Sequence, residues 1–249
     1  MSFVQGGAGR LRVSDGGTGD PVLVLVHGLG SELETWRPVL DRLRVSRRAI
    51  AYDQRGHGGS DPAPEYSVDL LAEDLGRVVQ ALQLRKFSLV GHSFSGTVVS
   101  AYAAKHPEQV AGVVYVDAVG DASHAPAELK DCFRRQDEGM TPPRLRESYQ
   151  QELGPKAKPA TREAVLDSSA RMDLKAFAPL RASMAAFDGL TAARAYPGPR
   201  VAIVAEGNEN PVSAAQLPGA RRVVIPNVSH WLMLDDPDAT ARAIEEATR

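Results

Sequence analysis

The 249-residue sequence predicts an α/β fold in which helices cover both faces of a mostly parallel central sheet. Three observations support this class. Short aliphatic runs alternate with segments of helical spacing, a strand–turn–helix pattern surrounds Ser93, and one long interval lacks strands. Such alternation with short connections is typical of parallel sheets with helices on both sides. The length and the hydrophobic content of 43% suffice for one domain with a substantial core.

Seven aliphatic runs are predicted to be strands. They cover residues 9–14, 22–26, 48–52, 87–90, 110–116, 201–205 and 222–225. A continuous run such as Val22 to Val26 suits a strand that is buried on both faces. Between the strands, apolar residues recur three or four positions apart, as in the segment that follows Ser67 and the closing segment from Pro237 to Ala247. These segments are predicted to be helices.

The alternation stops between residues 119 and 190. This interval is rich in charge and proline, and helices are predicted over residues 162–172 and 178–187. An insertion of about 70 residues within a sheet usually forms a lid or a binding element. We therefore predict a core formed by residues 1–118 and 191–249, and a helical cap (lid) formed by residues 119–190.

Apolar residues of this predicted cap, together with two tryptophans, are candidates to line an apolar pocket. They are Phe133, Met140, Leu145, Phe177, Met184, Phe187, Trp36 and Trp231. Because apolar residues at helical spacing more often belong to a core than contact a ligand, only Trp231 is taken as a candidate substrate-binding residue. The charges of the cap are nearly balanced, which gives no indication of a charged substrate.

Composition excludes several classes of partner. The formal charge of −2 and the absence of a basic stripe argue against nucleic acid and against a polybasic membrane anchor. Residues 1–12 lack the apolar segment of a signal peptide, and no run approaches the roughly 18 apolar residues needed to span a bilayer. We expect a cytoplasmic protein. Cys132 is the single cysteine, so neither a disulfide nor a thiolate metal cluster is expected, and no other spacing predicts a metal or a cofactor.

The strongest chemical signal is the pattern around Ser93. The apolar run that ends at Val90 breaks at Gly91, and helix-forming residues follow. Such a turn exposes the central side chain above the end of a sheet when the residues two before and two after it are small. Gly91 fulfils the first condition, but the second position holds Ser95, with Gly96 one place later. The motif is therefore G-x-S-x-S-G, and Ser93 is the predicted nucleophile.

Four motifs, taken in order along nearly the whole chain, resemble the α/β-hydrolase fold family. They are His27-Gly28-Leu29-Gly30, the glycine-rich segment from Asp53 to Ser60, Gly91-His92-Ser93-Phe94-Ser95-Gly96 and Val228-Ser229-His230-Trp231. A serine hydroxyl needs a base, and the resemblance implies that His230, after the last strand, is that base. It also implies an oxyanion hole formed by the backbone N–H groups of Leu29 and Phe94.

The acid of the predicted triad is where this chain departs from the family pattern. Most relatives carry an aspartate shortly after the strand at 201–205, at a position that holds Asn208 here. In a Ser-His-Asp triad, an aspartate-to-asparagine change costs about 10⁴ in rate. Asp117 is our first candidate, because some members place the acid at the end of the strand that corresponds to 110–116. Glu206 or Glu209, and a site with Asn208 and no acid, remain open as alternatives.

Together these parts predict a serine esterase or lactonase with a nucleophile elbow, a triad and an oxyanion hole. Its substrate would be a small-molecule ester or lactone, small to medium in size and mainly apolar, cleaved through an acyl-enzyme on Ser93. Two alternatives use the same fold. Plant hormone receptors with slow turnover share a Gly-His-Ser-x-Ser arrangement that Gly91 to Ser95 resembles. A non-hydrolytic lyase or cyclase would use the same Ser–His pair.

Overall fold

The computed structural model describes the backbone of residues 1–249 and all side chains except those of Leu129, Cys132 and Phe133. The predictions made for Cys132 and Phe133 therefore lie outside the described side chains. Eight strands form one sheet, with spatial order β1-β2-β4-β3-β5-β6-β7-β8. The strands are β1 (Ser2–Gln5), β2 (Arg10–Gly16), β3 (Val22–Val26), β4 (Ala49–Tyr52), β5 (Phe87–His92), β6 (Val110–Val116), β7 (Arg200–Ala205) and β8 (Ala220–Ile225).

The strands from β3 to β8 pair in parallel, and β1 and β2 pair antiparallel at one edge. This arrangement confirms the predicted α/β class with its mostly parallel sheet. Strand β1 was absent from the prediction. It is a four-residue edge strand in which only Val4 is buried, so it carries no aliphatic run by which a pattern would detect it.

Helices connect the strands on both faces of the sheet. They are α1 (Arg37–Leu43), α2 (Val68–Ala81), α3 (Ser95–Lys105), α4 (Ala127–Asp137), α5 (Pro142–Leu153), α6 (Pro159–Ser169), α7 (Leu174–Ala186), α8 (Gly189–Ala195), α9 (Leu232–Asp235) and α10 (Pro237–Ala247). The predicted start of α2 is correct, because the Ser67 hydroxyl accepts a hydrogen bond from the Leu70 N–H at 3.2 Å. Helix α10 has the predicted bounds.

Helices α4 to α8 lie between β6 and β7. Helices α4 to α7 fall within the interval 119–190 that was predicted to form the cap, whereas α8 extends beyond it to Ala195. The two helices predicted there correspond to α6 and α7, with shifted bounds. Pro179 favours a helix that begins beside it, because proline is common in a first turn. The observed start of α7 lies earlier, where the Asp173 carboxylate accepts a hydrogen bond from the Lys175 N–H. The division of the chain into a core and a cap stays a prediction.

The core consists of two buried clusters, one on each face of the sheet. Val24 and Val26 of β3 belong to the cluster under α2 and α3, whereas Leu23 and Leu25 belong to the cluster under α1 and α10. Burial on both faces accounts for the continuous aliphatic run of β3. In a sheet of this kind, the loops at the carboxyl ends of the parallel strands form the ligand site. Ser93 and Asp117 follow two adjacent strands, β5 and β6, at that edge.

Candidate active site

Ser93 lies in the turn between β5 and α3, with a φ of 52°. This left-handed conformation is uncommon for a residue with a side chain and persists only where the surroundings enforce it. Backbone hydrogen bonds do so here. The Ser93 N–H donates to the Val116 carbonyl at 3.2 Å, and the Ser93 carbonyl accepts from the N–H groups of Gly96 (3.1 Å) and Val119 (3.0 Å). The turn therefore holds the Ser93 side chain at the wall of a cavity.

The structure also explains why the motif reads G-x-S-x-S-G. A Cβ atom at Gly91 would lie 2.7 Å from the Ser95 carbonyl oxygen, and one at Gly96 would lie 2.2 Å from the Val119 carbonyl oxygen. The second close approach thus occurs at Gly96, one residue after the usual position. Ser95 itself is fully buried, and its hydroxyl donates to the His27 carbonyl at 2.5 Å. Its side chain is part of the packing beneath the turn and does not line the cavity.

His230, which is partly buried, forms a hydrogen-bonded pair with the buried Asp117. The Nδ1 atom of His230 lies 2.8 Å from Asp117 Oδ2, and the other carboxylate oxygen of Asp117 accepts from the Ala205 N–H (3.0 Å) and from Asn208 Nδ2 (2.7 Å). Burial acts to lower the pKa of His230, but the hydrogen bond and charge of Asp117, with a smaller effect of Glu152, raise it above its ordinary value. Burial acts to raise the pKa of Asp117, yet its hydrogen bonds and the nearby imidazole lower it.

The other candidate acids lie elsewhere. The Glu206 side chain is half-exposed with a carboxylate oxygen 3.7 Å from Lys156 Nζ, and Glu209 is exposed and 3.3 Å from an Arg222 nitrogen. Asn208 donates to Asp117. The structure thus brings Asp117 to His230 and keeps Glu206 and Glu209 in surface ion pairs. The support that Asn208 gives to Asp117 is a role that the sequence pattern did not indicate.

The second imidazole nitrogen of His230 belongs to the cavity. Nε2 is buried and has no hydrogen-bond partner among the described atoms, and it lies 3.8 Å from Glu152 Oε1. A buried polar atom without a partner is uncommon and often marks a functional position. His230 and Ser93 both line the same cavity. In structures without substrate, catalytic hydrogen bonds are often long and shorten when substrate binds.

His92 supports the backbone of His230. The two rings pack with 4.7 Å between their centroids, and His92 Nε2 lies 3.0 Å from the His230 carbonyl oxygen. Because a carbonyl oxygen only accepts, Nε2 carries the hydrogen and donates it. Burial, together with the neighbouring imidazole of His230, lowers the pKa of His92 to about 3, so this ring is neutral. His92 thus helps to orient His230 through its main chain.

The candidate oxyanion donors, Leu29 and Phe94, both line the cavity. Phe94 immediately precedes α3, where the first N–H groups of a helix have no acceptor within the helix. Leu29 lies in a turn in which the Gly28 carbonyl accepts from the Ser31 N–H at 3.2 Å, and Gly30 has a φ of 65°. Glycine with positive φ at the third position is typical of a type II turn.

His27 holds the first peptide of this turn. Its Nδ1 atom lies 2.8 Å from the Gly28 carbonyl oxygen, and its Nε2 atom accepts from the Gln54 N–H at 3.0 Å. Since Nε2 accepts, Nδ1 carries the hydrogen and donates to Gly28. Burial lowers the pKa of His27 to about 4 and keeps the ring neutral. The Gly28–Leu29 peptide, which carries the candidate donor N–H, is therefore fixed from the core.

The cavity has a volume of about 450 Å³. Trp231, the candidate substrate-binding residue, lines it together with Phe177 and Met184, whereas Trp36 and Leu145 are buried in the core. The remaining lining residues are Leu29, His92, Ser93, Phe94, Asp117, Ala118, Val119, Tyr149, Glu152, Arg181, Asn208, Asn210, Val212, Ser213 and His230. Two charged side chains from the inserted helices, Glu152 and Arg181, are among them, although the sequence indicated no particular charge.

Within the part of the chain whose side chains are described, no three His, Cys, Asp or Glu residues are grouped so that they would hold a metal ion. Across the same residues, no helix combines the length and apolar character needed to cross a bilayer.

Comparison with known proteins places this site in a wider context. A family model described as the alpha/beta hydrolase family matches residues 23–243. A serine hydrolase-like protein of Danio rerio is 36% identical over 125 residues, which are 49% of this chain and 37% of that protein. A 2-hydroxymuconate semialdehyde hydrolase of Pseudomonas sp. strain CF600 is 37% identical over 116 residues, 45% of this chain and 41% of that protein. The matched segments thus span less than half of either relative.

Solved structures extend the similarity to the whole chain. A thermophilic esterase from Thermogutta terrifontis has a TM-score of 0.86 at 24% identity, covering 100% of this chain and 99% of that one. The enol-lactonase from Burkholderia xenovorans LB400 has a TM-score of 0.85 at 21% identity, covering 99% of both chains. At these identities, the likeness establishes the fold.

Proposed function

The chain belongs to the alpha/beta hydrolase family, and on that premise we propose that it is a serine hydrolase of carboxylic esters or lactones. The observation that carries the proposal is the hydrogen-bonded pair of His230 and Asp117, with His230 Nε2, which has no hydrogen-bond partner among the described atoms, in the same cavity wall as Ser93. This arrangement supplies the base that a serine hydroxyl needs at neutral pH and the carboxylate that orients the base.

The first half of the proposed reaction forms an acyl-enzyme. Ser93 Oγ attacks the carbonyl carbon of the substrate while His230 Nε2 takes the hydroxyl proton. Asp117 keeps the other ring proton on Nδ1 and stabilises the imidazolium. The N–H groups of Leu29 and Phe94 donate to the negative oxygen of the tetrahedral intermediate. When this intermediate collapses, the C–O bond to the leaving alcohol breaks, and His230 returns the proton to that oxygen.

The second half hydrolyses the acyl-enzyme. A water molecule gives a proton to His230 Nε2 as its oxygen attacks the acyl carbon. Collapse of the second tetrahedral intermediate releases the carboxylic acid and restores the Ser93 hydroxyl with the proton from His230. In a lactone, the leaving alcohol stays attached to the acyl group, so one hydroxy acid is released.

The cavity supports a small to medium, mainly apolar substrate. A volume of about 450 Å³ lies within the usual range for small-molecule sites, and Phe177, Met184 and Trp231 provide apolar walls. The esterase and the enol-lactonase of similar fold are consistent with ester and lactone substrates. The small-molecule partner and the cytoplasmic location stay predictions that rest on the sequence.

The receptor alternative gains no support from the cavity. It rested on Ser95, whose hydroxyl is bound to the His27 carbonyl in the core and does not face the cavity. Among the residues whose side chains are described, none favours a lyase or cyclase over a hydrolase.

Nitrophenol release from nitrophenyl esters of short and medium acyl chains tests the proposal, with Ser93→Ala as the matched control. We expect sustained multiple turnover in the wild type and a loss of at least about 10³ in kcat in Ser93→Ala. Equal rates in both proteins would refute a Ser93 nucleophile. A single stoichiometric burst followed by arrest would refute turnover as a hydrolase and would instead favour a receptor or a non-hydrolytic role.

A further inference from the structure

Tyr149 of α5 contacts the loop that carries one of the candidate oxyanion donors. Its side chain is buried, and its hydroxyl donates to the Leu29 carbonyl oxygen at 2.7 Å. A Cβ atom at Gly30 would lie 2.1 Å from that hydroxyl oxygen, so the phenol occupies the space beside Gly30. The contact joins a helix inserted between β6 and β7 to the turn that follows β3.

The bonded carbonyl belongs to the central peptide of the turn from Gly28 to Ser31. Type I and type II turns differ chiefly in the orientation of that peptide, and a positive φ at the third residue selects type II. Glycine at this position allows positive and negative φ at similar cost, so Gly30 by itself does not hold the type II form. The Tyr149 hydroxyl does, because only one orientation of the Leu29–Gly30 peptide presents a carbonyl oxygen to it.

We propose that Tyr149 is a positioning residue for the oxyanion hole. Tyr149 holds Leu29 from the side of the inserted helices, while His27 holds it from the core. The two peptides that flank the Leu29 Cα are then each bonded through their carbonyl oxygen, to His27 Nδ1 at 2.8 Å and to Tyr149 at 2.7 Å. Preorganised N–H donors stabilise a transition state because they need no reorientation as negative charge develops. This inference rests on the proposed serine hydrolase function.

A second side chain from the inserted helices contacts the next carbonyl of the turn from Gly28 to Ser31, which we call the oxyanion loop. Ser168 Oγ of α6 is 3.2 Å from the Gly30 carbonyl oxygen and 3.0 Å from the Val165 carbonyl oxygen of its own helix. Its single hydrogen is shared between two acceptors, so Ser168 contributes less than Tyr149. The inserted helices thus contact two successive carbonyls of the oxyanion loop.

Tyr149→Phe tests the proposal, because it removes the hydroxyl and retains the ring. The centroid of that ring lies 6.2 Å from the ring centroid of Trp231. We expect kcat for a nitrophenyl ester to fall about tenfold with KM changed less than about twofold, the pattern of an interaction that matters in the transition state. Affinity for phenylboronic acid, which forms a tetrahedral adduct on Ser93 Oγ, should fall by a similar factor. Affinity for the carboxylic acid product should not change.

Tyr66→Phe is the matched control. Its hydroxyl also joins the core to the inserted helices, donating to Asp173 Oδ2 at 2.7 Å, but it does not touch the oxyanion loop. We expect a similar fall in thermal unfolding temperature in both variants and a fall in kcat only in Tyr149→Phe. Equal kcat losses would mean that docking of the helices, and not the loop, is responsible, and would overturn the inference.

Other outcomes also decide the question. If Tyr149→Phe raises KM alone, Tyr149 contacts the substrate and the inference fails. If that variant does not fold, Ser168→Ala replaces it, with an expected kcat loss of about threefold, and an unchanged kcat there overturns the inference. Wild-type protein without Ser93-dependent turnover overturns the proposed function and this inference with it, whereas normal turnover by Tyr149→Phe overturns the inference alone.

Discussion

Replacing Asp117 with asparagine should do more than remove a charge. Asp117 Oδ1 accepts hydrogen bonds from the Ala205 N–H at 3.0 Å and from Asn208 Nδ2 at 2.7 Å, while Oδ2 accepts one from His230 Nδ1 at 2.8 Å. Because both neighbours of Oδ1 are donors, the amide of an asparagine must place its oxygen there. Its NH₂ group then faces His230 Nδ1.

The consequence is the wrong tautomer of His230. An NH₂ group donates, so Nδ1 must accept and the ring proton moves to Nε2. Nε2 can then no longer take the proton of Ser93. In a Ser-His-Asp triad, this change lowers kcat by about 10⁴, which corresponds to roughly 5.4 kcal/mol of transition-state stabilisation. We expect a loss of that order in Asp117→Asn.

The assay measures kcat for a nitrophenyl ester. Ser93→Ala gives the background rate, and thermal unfolding checks that each variant is folded. Adding Asn208→Asp to Asp117→Asn supplies an acceptor for the amide NH₂, so the amide can turn and present its oxygen to His230 Nδ1. We expect the double variant to regain at least about tenfold, limited by the Ala205 N–H that would then face an NH₂ group. Asp117→Asn within tenfold of the wild-type kcat would refute the triad role of Asp117. A double variant without recovery would refute the tautomer explanation.

Two further variants separate electrostatics from packing. Glu152→Gln removes a carboxylate that raises the pKa of His230, so the acid limb of the pH–rate profile should move to lower pH. Half-exposed Glu152 is screened by salt, so the shift should shrink as ionic strength rises, and an unmoved limb at low salt contradicts this reasoning. Ser95→Ala removes a buried hydroxyl bonded to His27 and should lower the free energy of unfolding by about 1–2 kcal/mol, measured in urea, at unchanged KM. A loss of kcat at full stability would mean that this hydroxyl acts in the chemistry.

Local patterns of residues predicted much of the fold. Buried elements show a recognisable spacing of apolar residues. Strands β3, β5 and β6 are buried on both faces and appear as continuous aliphatic runs, and α10 is buried along one stripe and shows helical spacing. The bounds of α7 were predicted less well, because the helix begins four residues earlier than predicted, after the Asp173 cap. β1 was missed because an exposed edge strand needs few apolar residues.

The motif around Ser93 could be recognised in the sequence because a tight turn requires small residues at positions close to it. A Cβ atom at Gly91 would collide with the carbonyl oxygen of Ser95 in the same turn, so this demand for glycine is local and can be predicted from the chain. A Cβ atom at Gly96 would collide with the carbonyl oxygen of Val119, in the segment that follows β6, so that demand depends on the tertiary structure. The family resemblance added the order of the remaining parts.

The partners of His230 depend on contacts between distant positions. Asp117 lies 113 residues before His230, and Asn208 lies 91 residues after Asp117. All three meet because they follow β6, β7 and β8, which are consecutive in the sheet. Its position at the end of a predicted strand made Asp117 the first candidate, but the sequence left Glu206 and Glu209 open as acids. Tyr149 likewise reaches Leu29 across 120 residues, through the way α5 packs over the turn after β3. The strand–turn–helix pattern predicted Ser93 as the nucleophile and the family resemblance implied His230 as the base, whereas the contacts of Asp117 and Tyr149 depend on strand order and helix packing, which bring remote side chains within hydrogen-bonding distance.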